Sequence, residues 1–100
     1  MIDFLKTAGI SEEVINTMYE MNEDNVLYNL SCIQDDCLKI IEYLKELGIQ
    51  NIDELLLYEL NIFYLEYDEI VKKISKFNIP VFVNLINNDY VVIENIYDVD

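Results

Sequence analysis

The chain has 100 residues, of which 20 are Asp or Glu and 6 are basic, all of them Lys, giving a formal charge of −14. That length bounds it to one domain with a single modest core, and a hydrophobic fraction of 53% excludes a disordered chain in spite of the charge. Each half carries ten acids and three Lys, so the acidity belongs to the whole domain, and direct nucleic-acid binding and docking to anionic lipid are both disfavoured.

Along the chain, apolar residues at helical spacing alternate with cap signals. MIDFLKTAG carries an acid at position 3 and no basic stretch before its apolar residues, so it reads as a first helix over 2–8 and not as a secretory leader. Gly9 and Gly48 each follow an apolar-periodic stretch and precede Ile, as Asn78 does, the expected left-handed residue just past a helix end. Ser11 before Glu12 and Glu13 is an N-cap with acids in the first turn of a helix over 12–20. Further helices are expected over 23–30, over 35–47 from Asp35 or Asp36, and over 52–59. Asn51 with Glu54 has the spacing of a capping box at the start of the last of these. Ile70, Val71, Ile74 and Phe77 mark a helix over 66–77, and Pro80 suits the first position of one over 81–87. The β-branched stretch at 90–97 reads by propensity as extended. The fold class is therefore all-α, six or seven short helices arranged as helical hairpins.

A thirty-residue period runs through the chain from residue 26 onward. VLYNLSCI (26–33) aligns with LLYELNIF (56–63), and the register continues through Ile40/Ile70, Leu44/Ile74 and Gly48/Asn78. The unit is a short helix, an apolar turn, a longer helix and then Gly/Asn-Ile. With LKELGI at 44–49, it resembles, over residues 26–90, the helical repeats of the mitochondrial transcription termination factor family, whose units end in a similar Leu-x-x-Leu-Gly-Ile motif. The resemblance implies a short helical solenoid. The family's nucleic-acid function does not come with it, because the basic groove residues are not in this chain.

Chemistry is sparse. There is no His, Arg or Trp, and the two Gly sit at helix ends. A general base of the usual kind, a bidentate anion clamp and a Gly-rich phosphate loop are therefore all missing. Cys32 and Cys37, the only cysteines, lie in apolar contexts and read as reduced, buried thiols. Zinc would want ligands the chain does not supply. No catalytic residue, metal site or cofactor is expected, and the chain does not read as an enzyme. The acid pairs fall at helix starts, where they complement the helix dipole. Of the eight Tyr, Tyr28 and Tyr58 share a repeat position and read as half-buried packing residues, while Tyr64 and Tyr67 lie beside acids on a partly exposed segment.

The expected function is that of a small acidic protein-binding domain docking on a basic protein partner, an inhibitor of a nucleic-acid-handling protein of anti-defence, DNA-mimic or immunity type. Glu12, Glu13, Glu20, Glu23, Asp24, Asp35, Asp36, Glu66, Asp68 and Glu69 are the expected contacts, with Tyr64 and Tyr67 as anchors. The alternative is a helical-repeat adaptor that recognises its partner by a concave face. A homodimer through the apolar C-terminal segment 79–96, a cytoplasmic setting without membrane contact, and an AT-rich bacterial or phage source complete the expectation.

Overall fold

Ser11 shows how short polar signals start these helices: its hydroxyl accepts from the Val14 N–H at 3.2 Å, satisfying one of the four orphan donors of a helix start. In the computed structural model, which describes residues 1–100, it opens α1 (Glu12–Met21), preceded by a 3-10 helix, η1 (Asp3–Ala8). Then come α2 (Asp24–Cys32), α3 (Gln34–Glu46), α4 (Ile52–Tyr58), the 3-10 helix η2 (Leu60–Tyr64), α5 (Tyr67–Ile74), α6 (Ile79–Asn88) and the 3-10 helix η3 (Tyr90–Asp98). There is no strand, and no helix is long and apolar enough to cross a membrane. Gly9 and Gly48 end η1 and α3 at φ of 82° and 97°, a region only Gly enters without strain.

Three local expectations are corrected. The 90–97 stretch is not extended but coils into η3. A lone strand would leave its N–H and C=O groups unpaired, whereas Tyr90, Ile93, Ile96 and Val99 recur every three residues, the period of a 3-10 helix. Ile93 and Ile96 are buried, and Tyr90 and Val99 half-buried. Asn78 is not a left-handed stop but the cap of α6, accepting from the Val81 N–H at 3.2 Å with φ of −71°. Asn51 forms no capping box: its amide donates to the Ile86 carbonyl at 2.8 Å, which ties α4 to α6 and leaves its Oδ1 buried without a partner.

The core is 24 buried residues, all hydrophobic, with no polar or charged side chain among them. Its centre is α3, which buries Cys37, Ile40, Ile41 and Leu44 and packs against η1, α2, α4, η2 and α5. A fully buried Leu or Ile contributes about 1.5–3 kcal/mol relative to exposure. The C-terminal α6–η3 hairpin buries Phe82, Val83, Ile86, Ile93 and Ile96 in the same core, so the domain itself covers much of the apolar segment 79–96.

Residues thirty apart share part of this environment. Ile40 and Ile70 are both buried, as are Leu44 and Ile74, but Leu57 and Leu60 are only half-buried where Leu27 and Leu30 are fully so. The counterpart of the continuous α2 is broken into α4 and η2. Tyr28 and Tyr58, expected half-buried, are 59% and 55% exposed.

Leu44→Ala is expected to lose about 2–5 kcal/mol, by the transfer and cavity costs of a core truncation. Tyr28→Ala should stay within about 0.5 kcal/mol of the parent. Urea unfolding of both variants checks the contrast.

Candidate partner-binding site

The expected contact residues sit mainly at helix starts. Glu12 and Glu13 open α1, with Glu20 near its end; Glu23 and Asp24 open α2; Asp35 and Asp36 open α3; Glu66, Asp68 and Glu69 open α5. All are exposed except Asp36, which is half-buried and accepts from the Tyr67 N–H at 3.4 Å. That bond joins the start of α3 to the start of α5. The Tyr64 hydroxyl donates to the Val26 carbonyl, tying the start of α2 to the residues just ahead of α5. These two tertiary bonds join the starts of α3 and α5 and tie α2 to η2; no hydrogen bond links Glu12 or Glu13 to them. Tyr64 and Tyr67 are both half-buried. The Tyr64 hydroxyl is already engaged, and Tyr67 packs edge-on against Tyr43 with ring centroids 6.1 Å apart. Burial raises the hydroxyl pKa of both Tyr43 and Tyr64.

Three of the basic residues are tied to backbone carbonyls. The Lys45 ammonium donates to the Ala8 carbonyl at the end of η1, and Lys73 and Lys76 donate to the Val99 and Asp100 carbonyls. Three of the six amines thus hydrogen-bond to backbone carbonyls while keeping their charge.

A second acidic feature escaped the sequence reading. Glu59, just past the end of α4, and Glu94, in the middle of η3, line one cavity. Burial first, then the nearby Glu94 carboxyl, then the charge of Asp89, push the Glu59 carboxyl up to about 7. The pair lies in a cavity of about 480 Å³ between the α4–η2 connection and η3, walled by Tyr58, Leu60 and Tyr97. A second concavity of about 490 Å³, lined by Asp89, Val91 and Asp98, shares Glu94 and Tyr97 with the first. Tyr58 stacks on Tyr90 at 5.3 Å, ring planes 27° apart. The Tyr97 hydroxyl is pushed up by burial and by the Glu59 and Glu94 charges. Glu59 and Glu94 lie thirty-five residues apart, with no local motif joining them. The available signal was the period of three: if 90, 93 and 96 point inward, then Val91, Glu94 and Tyr97 share the opposite face, and all three are exposed.

The two thiols differ. Cys37 is buried, which pushes its pKa up to about 12, whereas Cys32, expected buried, is exposed at the end of α2; both are free. No three Asp, Glu or Cys side chains converge as a metal site. Comparison with protein-family models, with curated proteins and with solved structures finds no match to this chain.

Glu59 holds its proton more tightly folded than unfolded, so its stabilising contribution is full below the ordinary value of 4.5 and is lost as pH rises through about 7. Glu59→Gln is therefore expected to gain thermal stability relative to the parent at about pH 8 and to show little gain at about pH 4; melting curves at the two pH values test this. With a thiol-specific chromogenic reagent, Cys32 should react rapidly in the native chain and Cys37 only on unfolding. Two fast equivalents would overturn the assignment.

Proposed function

We propose that the chain is an acidic protein-binding domain that docks on a basic, nucleic-acid-handling protein and inhibits it. The observation that carries this reading is the distribution of charge. None of the twenty carboxylates is buried, and half of the few amines are turned back onto the chain's own carbonyls. Fourteen net negative charges are thus spread over 5722 Å² of surface. Exposed carboxylates at the starts of α2, α3 and α5 can occupy a groove built for phosphates, with long-range attraction speeding the encounter. The anti-defence, DNA-mimic and immunity classes all use this chemistry, and an AT-rich bacterial or phage source fits them. Binding makes no demand on catalysis, on a cofactor or on a membrane.

A second reading, a helical-repeat adaptor, is favoured by one observation: Tyr28 and Tyr58, thirty residues apart, are both left more than half exposed. Large exposed Tyr at a repeated position is a common form of contact residue.

Salt separates the readings. The complex with the basic partner is expected to weaken at least tenfold between about 0.05 and 1 M NaCl, because exposed charges more than a few ångströms apart are screened at molar salt. Duplex DNA should also displace the chain from that partner. Affinity that persists in molar salt and resists DNA, yet falls on Tyr28→Ala, would overturn the electrostatic reading in favour of the adaptor.

A further inference from the structure

The first turns of α1 to α5 each carry an acid, whereas that of α6 carries none. No charged residue occurs anywhere in α6, in a chain where 26% of residues are charged. The helix departs from the rest of the surface in a second way. Val81 and Leu85, one turn apart on its outer side, are 55% and 47% exposed, and the polar residues beside them, Asn84 and Asn88, are neutral and exposed. With Val91 of η3, these two are the only exposed branched aliphatic side chains in the domain. From its inner side α6 is fixed by the burial of Phe82, Val83 and Ile86. It is also tied by Asn87, which accepts from the Gln50 N–H at 2.8 Å and donates to the Gly48 carbonyl at 3.0 Å. The outer face is therefore presented as a preformed surface. We infer that this face is where a second copy of the chain docks, α6 against α6 across a two-fold axis.

Charge selects the occupant. A basic partner is drawn to carboxylates, and none stands on this face. Two copies that each carry −14 repel wherever their acidic helix starts meet, so they come together with least repulsion across a face without charge. The face also matches itself. A two-fold contact brings the same patch of both copies together. With the helices antiparallel, Val81 and Leu85 of one copy meet those of the other, and the Asn84 amide, a donor and an acceptor at once, pairs with its counterpart. A ten-residue helix is only about 15 Å long, and a standard interface takes about 800 Å² from each partner. The contact is accordingly small, and the dimer forms reversibly at high concentration. It uses none of the acids at the starts of α2, α3 and α5, so it goes beyond docking on a basic protein and does not depend on it. Salt acts on the two with opposite signs: it screens the repulsion between like copies and leaves apolar contact intact, but weakens attraction to a cationic partner.

The test is sedimentation equilibrium of the full chain between about 10 μM and 1 mM. The average mass is expected to rise toward that of a dimer, with an association constant at least about threefold higher in 0.5 M than in 0.05 M NaCl. Val81→Glu/Leu85→Glu should remain monomeric throughout; both side chains are exposed, and an amide spectrum that otherwise matches the parent shows the variant to be folded. Leu85→Gln, which adds no charge, should weaken association several-fold and separates lost apolar contact from added repulsion. Amide shifts that change with concentration should be confined to residues 78–91. A parent chain that stays monomeric at both salt concentrations would overturn the inference and leave docking on a basic partner untouched. Association that persists in the double variant, that weakens with salt, or that shifts Tyr28 and Tyr58 in place of α6 would overturn the assignment to this face.

Discussion

The apolar stripe of α3 is the contact on which the rest of the domain depends. Cys37, Ile40, Ile41 and Leu44 are each fully buried, and η1, α2, α4, η2 and α5 all rest on this helix. None of those elements exceeds ten residues, and isolated helices of that length are marginal in water. Their helicity is therefore a consequence of the shared floor and not of propensity. With no polar side chain in the core, the floor is held by burial alone, without a buried polar network to fix its register. Register comes instead from bonds at the margin: Tyr64 to Val26, Asn51 to Ile86, and Asp36 to the Tyr67 N–H.

That arrangement dictates where charge goes. An entirely apolar core sends every carboxylate outward, and the most favourable outward positions on short helices are their first turns, where partial positive charge concentrates. Much of the acidity is thus consistent with fold stability. The lysines complement it at the opposite poles, meeting the carbonyls at the end of η1 and at residues 99 and 100. The consequence is a surface on which carboxylates far outnumber cations, three of the six ammonium groups being hydrogen-bonded to carbonyls.

Much of the fold was legible because α-helical spacing and caps are local. Ser11, Gly9 and Gly48 behave as their residue types require, and the stripe of α3 follows from Ile40, Ile41 and Leu44 alone. The misses share a cause. Propensity reads the β-branched residues of 90–97 as extended, but the buried set 90, 93, 96 has a period of three, and periodicity outweighs propensity once an element must bury a face. The same period places Ile2, Leu5 and Ala8 on the inner side of η1, where the chain was expected to be an ordinary helix. Asn51, expected as an N-cap, bridges elements, and Asn78, expected past a helix end, is itself an N-cap, because an Asn side chain can do either and only the neighbour in space decides. Ile86 lies thirty-five residues beyond Asn51, outside the reach of any local rule.

The candidate site divides along the same line. Acids at helix starts can be read from sequence because their cause is local, and for that reason they are weak evidence of function: the dipole alone explains them. The Glu59–Glu94 pair has no such cause. It is made by the tertiary approach of η3 to the end of α4, where burial first, and then the neighbouring Glu94, push the Glu59 carboxyl up to about 7. Apolar or amide side chains at either position would relieve that repulsion without disturbing Ile93 and Ile96, which face the other way.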